Sequence, residues 1–522
     1  MADLTRAQRR RLKRTGAKLS SISARPKDTT MERHAAMVSQ GYSHYQSGDY
    51  EAADRLYRAV LDENIEHAGA LHGMGVIARD AERYEVGVEL LRRASLKDPR
   101  NVAIHSNLGT TFEQWGRYDE AVASYKVGLR HAPRDWILLN NLGSCYARMG
   151  QRTLALSAFE KALRFGGETA ELYTNYAVTL AETGAFEMAE PYFRKAIELN
   201  PEPSAMHFSY GAHLLYNGRW DEGWSLYERR FIKGHRMVSP RAFRQPYWNG
   251  EPLSGKAILL WGEQGIGDEI RFVSMARDVI ASGADVTIEC APKLQSLFCR
   301  SFPEARVVAA PYRAAEDEEN AFDFQCAMGS LGRFYRRGRD MFPRHDGYLK
   351  PDLRRAKELS ERLASVGPGP RVGVCWRSGL SGAHRDDYYT VVRELGPILK
   401  LVNVTFVNLQ YDVKEEEIEE AKRRFGATLH RMEGLDLRDD LEGAAALTIG
   451  LDLVVSATTS VSVMAGALGV RTLEFLPVPV SPQFLIDDHC PWFPSLRYAD
   501  KRARDPWSKV FFGVADEMRA LA

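Results

Sequence analysis

The sequence predicts an α-helical solenoid followed by two α/β domains. One observation is a motif of small and aromatic residues that recurs every 34 residues through the first part of the chain, because repeats of this length build arrays of paired helices. The other is an alternation of strand-like and helix-like segments from residue 256 onward, which is typical of parallel sheets. A chain of 522 residues has room for roughly three or four domains.

These patterns divide the chain into five segments. They are a basic tail over residues 1–30, the repeats over 31–235, a connector over 236–255, and α/β domains over 256–365 and 366–522. The connector is rich in Pro and Gly, and VGPGP at 366–370 is the expected hinge between the α/β domains.

Composition favours a soluble, cytoplasmic protein. Hydrophobic residues make up 44% of the chain, charged residues 27%, and the net charge is +1, as in typical folded domains. No apolar run is long enough to span a bilayer, and the N-terminus lacks the apolar segment of an export signal. The six cysteines are far apart and form no CxxC pair, so neither a zinc site nor a disulfide framework is expected.

The first 27 residues carry nine Lys or Arg and one acid, Asp3. A basic segment of this kind can contact nucleic acid or an anionic membrane. It has too few apolar residues to pack against a domain. We therefore favour a solvated tail and expect no nucleic-acid partner.

Each repeat has three marker positions. Small residues recur at a spacing of 34: Gly41, Gly75, Gly109, Gly143, Ala177 and Gly211. A second small residue follows twelve positions after each: Ala53, Gly87, Ala121, Ala155, Ala189 and Gly223. A large apolar residue follows sixteen positions after each: Tyr57, Leu91, Tyr125, Phe159, Phe193 and Tyr227. This is the tetratricopeptide signature of two helices per repeat, and such arrays leave a concave face free for a protein partner.

Asparagines occupy one position of three successive repeats: Asn107, Asn141 and Asn175, with Asn140 beside the second. Side-chain amides at a fixed spacing along a groove can bond the backbone of an extended peptide. The four residues are therefore candidates for binding a protein acceptor. The alternative is that Asn is simply common at this repeat position, and the sequence leaves both interpretations open.

From residue 256 onward the periodicity becomes that of strands and helices. Strands are predicted at 256–262, 285–290 and 305–310, and again at 371–376, 404–410, 451–457 and 471–477. Helices are predicted near 267–282, 291–301, 388–400, 414–425 and 459–469. This alternation predicts two parallel sheets with right-handed crossovers, and a ligand cleft is expected at the carboxyl ends of their strands.

The segment ILLWGEQGIGDEIRF at 258–272 stands at the end of the first of these strands. Its glycines do not follow a phosphate-loop pattern. Gly265 and Gly267 instead let the backbone turn sharply and present Asp268 at the start of a helix. There the carboxylate can cap the helix or act as a general base on a hydroxyl, and the residues alone favour the cap.

Several stretches resemble bacterial tetratricopeptide proteins that carry a C-terminal glycosyltransferase domain of the GT-B type. They include GWSLYERR, PYWNGEPLSGKAILLWGEQGIGDEIRF, VGVCWRSG, LDLVVSATTSVSVMAGALGV and PWFPSLR. The arrangement is similar to O-GlcNAc transferase and the flagellin glycosyltransferases, and more distantly to heptosyltransferases. The resemblance implies two Rossmann-like domains, and it assigns the role of catalytic base to Asp268.

The resemblance also indicates where a nucleotide-sugar donor binds. The hydroxyls and backbone N–H groups of Thr458, Thr459 and Ser460 open a helix that suits a phosphate. The remaining donor candidates follow strands of the last domain: Arg377, Ser378, His384, Arg385, Gln410 and Asp412, together with the turn glycines Gly265 and Gly267. The commoner family pattern has an Asp and a His where this chain has Thr458 and Val463, so two groups that help to hold the donor are replaced.

The expected activity is transfer of a sugar from a nucleotide-sugar to a protein hydroxyl, with flagellin Ser or Thr as a candidate acceptor. No DxD pair stands at a strand end, so we expect metal-independent, inverting transfer without a cofactor. One alternative is a scaffold whose transferase domain has decayed. Another is a transferase that acts on a saccharide or lipid. The sequence does not indicate the sugar, the nucleotide base or the oligomeric state.

Overall fold

The computed structural model describes residues 29–202, 204–231, 241, 243–311, 322–367, 369–379, 389–477, 484–501 and 505–520. The chain divides into two compact units, Met1–Cys145 and Tyr146–Ala522. Residues 1–28 of the predicted basic tail, and the predicted donor residues His384 and Arg385, lie outside the described residues. No described helix is long and apolar enough to cross a membrane.

The first unit is built from paired helices. These are α1 Thr29–Gln46, α2 Tyr50–Glu63, α3 Ala68–Asp80, α4 Tyr84–Lys97, α5 Val102–Gln114, α6 Tyr118–His131 and α7 Trp136–Arg148. The small residues of the repeat allow each pair to pack closely: a Cβ on Gly109 would lie 2.4 Å from the ring of Tyr125, and one on Gly41 would lie 2.7 Å from Tyr57. Both aromatic side chains are buried, so the marker positions form the core.

The second unit begins with the rest of the helical array. Its helices are α8 Arg152–Arg164, α9 Ala170–Ala181, α10 Phe186–Leu199, α11 Ala205–Tyr216 and α12 Trp220–Tyr227. The last helix is short because it tightens into a 3-10 turn over Glu228–Phe231. Trp224 of α12 is buried, and its indole N–H donates to the carbonyl of Arg336 at 2.8 Å. The end of the array is therefore packed into the α/β region.

A four-stranded parallel sheet follows. Its strands are β1 Ala257–Trp261, β2 Asp285–Cys290, β3 Arg306–Ala309 and β4 Phe324–Ala327, in the order β3-β2-β1-β4. The helices beside it are α13 Ile266–Val273, α14 Ala276–Ala281, α15 Gln295–Ser301 and α16 Gly332–Tyr335. The first three strands were predicted; β4 was not, because its short run carries no clear alternation.

A six-stranded parallel sheet completes the unit. After α17 Leu353–Ala364 come β5 Arg371–Cys375, α18 Gly396–Leu399, β6 Thr405–Asn408, α19 Glu415–Phe425, β7 Leu429–His430, α20 Leu441–Thr448, β8 Leu453–Ala457, α21 Ser460–Ala467, β9 Thr472–Leu476, β10 Leu496–Asp500 and α22 Trp507–Arg519. The strand order is β10-β9-β8-β5-β6-β7. The helix predicted at 388–400 is much shorter: a 3-10 turn at Val392–Leu395 precedes α18, and Pro397 stands at its start.

The two strand orders fix where each sheet reverses direction. In the first sheet the chain returns from β3 to the far side of β1, and in the second it returns from β7 to the far side of β5. Ligands of open α/β sheets bind at such switch points, beyond the carboxyl ends of the strands. The predicted fold class is confirmed: a helical solenoid followed by parallel α/β sheets. The five-segment division stays a prediction.

Candidate functional site

The turn after β1 lies at the switch point of the first sheet. Gly265 is the N-cap of α13, and having no side chain it offers no side-chain cap. Asp268 lies in the first turn of α13, where its N–H donates to the Gly265 carbonyl at 2.9 Å. Within the described residues its carboxylate makes no hydrogen bond or ion pair. A half-buried carboxylate without a protein partner is available to a ligand.

The turn after β8 lies at the switch point of the second sheet. Thr459 is the N-cap of α21, and its hydroxyl accepts from the N–H of Val461 at 3.2 Å. The Thr458 hydroxyl donates to the carboxyl of Glu474 at 3.1 Å. Both threonine hydroxyls are therefore used within the protein, whereas the hydroxyl of Ser460 makes no hydrogen bond in the described part of the chain.

The starts of α13 and α21 adjoin each other. A Cβ on Gly267 would lie 3.6 Å from Cα of Ser460 and 3.8 Å from the side chain of Val463. The two helix starts are thus close neighbours, and the side chain of Val463 lies beside Gly267. Because the N-terminus of a helix carries partial positive charge, two such ends side by side favour an anion between them.

Arg271 was not among the residues predicted from the sequence. It lies on α13 one turn after Asp268, and its Nε is buried without a hydrogen-bond partner among the described residues. Burial would lower the pKa of Arg271, but the nearby carboxylate of Asp268 raises it, with a smaller contribution from Glu474. The only sequence signal was the spacing of three between Asp268 and Arg271, which places both on one helix face.

Glu474 brings a carboxylate of the second sheet into the same region. It lies on β9 and is 6% exposed. Burial raises the pKa of Glu474, against the effects of the Ser462 hydroxyl, Arg271 and the Thr458 hydroxyl. Carboxylates of α13 and of the second sheet therefore both act on the Arg271 guanidinium.

Two further carboxylates lie beside the first switch point and were also missed. Glu269 accepts from the N–H of Ala291 at 2.8 Å, and Glu289 accepts from Arg241 at 2.8 Å. Burial raises the pKa of Glu269 to about 7; the Ala291 N–H opposes this, while Glu289 and Asp268 add to it. The carboxyl ends of β1 and β2 therefore bring Asp268, Glu269 and Glu289 together.

The predicted donor residues after β5 and β6 form a closed network. Arg377 pairs with Asp412 at 2.5 Å and with Glu417 at 2.8 Å. Burial would lower the pKa of Arg377, but these two carboxylates raise it. Gln410 is 1% exposed. Its amide oxygen accepts from the N–H groups of Trp376 and Arg377, and its amide nitrogen donates to Arg377 and Asp412.

This network brings Arg377, Gln410 and Asp412 together as predicted neighbours, but it satisfies their polar groups internally. Gln410 holds the Arg377 loop in place through hydrogen bonds to the backbone of Trp376 and Arg377. Ser378 lies in the same loop, with its hydroxyl 3.2 Å from that of Tyr411. The prediction that Gln410 contacts a base stays untested, although its buried amide has no group left over for one.

The asparagines of the repeats have different surroundings. In the first unit, Asn107 accepts from Arg79 at 2.9 Å and lies 2.8 Å from Nε2 of His72. Asn140 is buried, and its amide donates to Asn141 at 3.4 Å. Asn175 belongs to the second unit, and its backbone carbonyl accepts from the Thr179 hydroxyl at 2.8 Å. Asn107 thus links its own repeat to the preceding one. The acceptor role of the four residues stays a prediction.

Comparison with known proteins identifies the helical array. Residues 136–202 match one family model of the tetratricopeptide repeat, and residues 38–94 and 72–135 match a second. Protein FlbA of Caulobacter vibrioides is 35% identical over 324 residues, which are 59% of this chain and 54% of that protein. The chain thus spans about half the length of this relative. The first part of the chain is a tetratricopeptide-repeat array.

Solved structures also resemble the chain. PilF of Pseudomonas aeruginosa is 20% identical, with 39% of this chain and 92% of that chain covered and a TM-score of 0.36. A tetratricopeptide protein of Thermus thermophilus is 22% identical, with 35% of this chain and 99% of that chain covered and a TM-score of 0.30.

Proposed function

We propose that the chain is a glycosyltransferase of the GT-B type that moves a sugar from a nucleotide-sugar to a hydroxyl of a protein acceptor. One observation carries the proposal: the starts of α13 and α21, which follow the switch-point strands of the two sheets, adjoin each other. One start presents the Asp268 carboxylate, which has no protein partner among the described residues, and the other presents the positive end of the α21 dipole and the Ser460 hydroxyl. A base beside an anion site is what glycosyl transfer requires.

The donor diphosphate is proposed to lie at the start of α21. The positive end of the helix dipole and the Ser460 hydroxyl, which makes no hydrogen bond in the described part of the chain, favour an anion there. Arg271 supplies the positive charge in place of Arg377, because the Arg377 charge is already opposed by two carboxylates. This placement keeps Thr459 and Ser460 among the donor residues predicted from the sequence.

Asp268 is proposed to act as the general base. As the acceptor oxygen attacks the anomeric carbon, its proton passes to the Asp268 carboxylate. The new carbon–oxygen bond forms while the bond from the anomeric carbon to the phosphate oxygen breaks, and the electron pair leaves with the nucleotide. Attack opposite the leaving group inverts the anomeric configuration, and no metal is needed if Arg271 and the helix start balance the phosphate charge.

The tetratricopeptide array is proposed to recruit the protein acceptor. Arrays of this kind bind partners along their concave face. The resemblance to flagellin glycosyltransferases makes a flagellin Ser or Thr hydroxyl the first acceptor to test.

The deciding experiment is intact-mass analysis of the acceptor after co-expression with this chain. A mass increase of one sugar residue, absent with Asp268→Asn, is the expected result. If the acceptor binds residues 30–235 yet its mass never changes and calorimetry detects no nucleotide binding, the chain is a scaffold. If nucleotide-sugar is consumed only with a saccharide or lipid, the protein acceptor is wrong.

A second measurement tests the donor site alone. Thr459→Glu puts a carboxylate at the proposed phosphate position, while Thr459→Ser keeps the hydroxyl that caps α21. Nucleoside diphosphates should bind the serine variant normally and the glutamate variant at least roughly a hundredfold more weakly. Equal affinity for both variants would move the donor site elsewhere.

A further inference from the structure

The last tetratricopeptide helix ends in a buried charge cluster that reaches the first sheet. Arg230, in the 3-10 turn after α12, is 0% exposed. Its guanidinium forms two bonds of 2.8 Å with both carboxylate oxygens of Glu263, in the turn after β1. It also donates to Glu228 at 2.7 Å and to Ser330 at 2.6 Å. Glu228, Arg230, Glu263 and Ser330 are called the Arg230 cluster below.

The Arg230 cluster has little freedom to move. The Arg230 guanidinium contacts two aromatic rings, 4.6 Å from the centroid of Tyr227 and 4.1 Å from that of Phe231. Glu263 also accepts from the N–H of Gly329 at 3.0 Å, and a Cβ on Gly329 would lie 2.3 Å from that carboxylate. The planar Arg230 guanidinium, which contacts two rings and forms hydrogen bonds along its edge, therefore fixes the position of the Glu263 carboxylate.

A second bond joins the same two segments. The side-chain amide of Gln264 donates to the Tyr227 hydroxyl at 2.8 Å. Glu263 and Gln264 are consecutive residues of the turn, and Gly265, the N-cap of α13, follows them directly. Two successive side chains of the turn are thus held by residues of the last repeat.

We propose that Arg230 is a positioning residue that fixes the turn after β1, and with it Asp268, from the end of the repeat array. The proposal rests on the proposed function for the role of Asp268, but not for the mechanical link. Gly262 and Gly265 on either side of Glu263 and Gln264 give the turn no side-chain support of their own. The turn therefore takes much of its side-chain support from the last repeat.

The test is amide hydrogen exchange of the full chain, read on peptides that cover residues 262–272. Arg230→Met alone would leave the buried Glu263 charge unpaired, so the informative variant is Arg230→Met with Glu263→Met, because neutral pairs of similar volume often replace buried ion pairs without loss of stability. Exchange of the turn should rise about tenfold, while peptides from β5 exchange as in the parent.

Arg336→Met is the matched control. Arg336 is as buried as Arg230 and pairs with Asp278 at 2.9 Å, but it makes no bond to the turn. It should lower the melting temperature without faster exchange at 262–272. If the double variant does not fold, Arg230→Lys keeps the charge but loses the two-point hydrogen bonding of the guanidinium to Glu263. It should still raise exchange of the turn about threefold.

Unchanged exchange of the turn in the folded variants would overturn the proposal. With an acceptor in hand, the double variant should lower kcat about tenfold to a hundredfold without changing the acceptor KM, because the base is misplaced and recruitment is intact. Faster exchange in a chain that transfers no sugar would instead keep the mechanical link and reject the proposed function.

Discussion

The carboxyl ends of the two sheets use arginine in opposite ways. After β5 in the second sheet, Arg377 is paired with two carboxylates, and Gln410 braces its loop. After β1 in the first sheet, the Nε of Arg271 is buried without a partner among the described residues, and the Asp268 carboxylate has none there either. Satisfied polar groups stabilise a fold, whereas unsatisfied ones at a switch point indicate a place for a ligand.

The sequence favours Arg377 over Arg271 as a residue that contacts a ligand, and this difference reverses that order. Arg377 follows a strand directly and so looks like a ligand-binding residue, while Arg271 stands inside a helix and looks like a surface residue. Whether a side chain has bonding capacity left depends on partners distant in sequence, such as Glu417 for Arg377 and Glu474 for Arg271. Substitutions of matched residues at the carboxyl ends of the two sheets test this difference.

The largest effect is expected at Asp268. Asp268→Asn keeps the shape of the side chain but removes the base, so transfer should fall by at least about a hundredfold, with a nearly unchanged melting temperature. Nucleotide affinity should not fall, since the change removes a negative charge beside the proposed phosphate site. Turnover, melting temperature and calorimetry of the same preparation check all three outcomes.

Asp412→Asn is the matched change at the other sheet. Asp412 pairs with Arg377, so its substitution should lower the melting temperature slightly and leave transfer within about twofold of the parent. If Asp268→Asn transfers sugar like the parent, or Asp412→Asn loses transfer to the same extent, the assignment of the base to the first sheet fails.

The next effect is a pH dependence of stability at Glu269. Its pKa of about 7 in the folded chain lies above the ordinary value of 4.5. Below pH 4.5 both folded and unfolded states hold the proton, so Glu269 has no effect there. Between about pH 4.5 and 7 the unfolded chain releases the proton first, so stability falls as pH rises, by about 3 kcal/mol in all.

Glu269→Gln isolates this effect because it keeps an oxygen for the Ala291 N–H but does not ionise. The melting temperature of the variant minus that of the parent should be near zero at pH 4.5, grow as pH rises, and level off above pH 7 at a few degrees. Taking the difference cancels the titration of other groups. A difference that is the same at pH 5 and pH 8 would contradict the raised pKa.

Local patterns predicted the repeats and most strands because those features are set by periodicity. The small and aromatic markers such as Gly109 and Tyr125 meet inside one repeat, so their spacing determines their contact. The opening of α21 by Thr459 was predicted for the same reason, since a cap acts on its own helix. The bonds of Gln410 to Trp376 and Arg377 were not predicted, because those two residues are more than thirty positions away in the sequence.

The smallest effect compares the two arginines directly. Arg271→Lys keeps the positive charge but loses the planar guanidinium and its Nε–H, so a bound diphosphate loses about one charge-assisted hydrogen bond. Affinity for a nucleoside diphosphate should weaken about tenfold. Arg377→Lys should keep affinity within about twofold and lower the melting temperature, because its bonds go to Asp412 and Glu417. Calorimetry with each variant, with melting temperatures alongside, separates the two roles; weakened binding in Arg377→Lys together with normal binding in Arg271→Lys would return the phosphate contact to the second sheet.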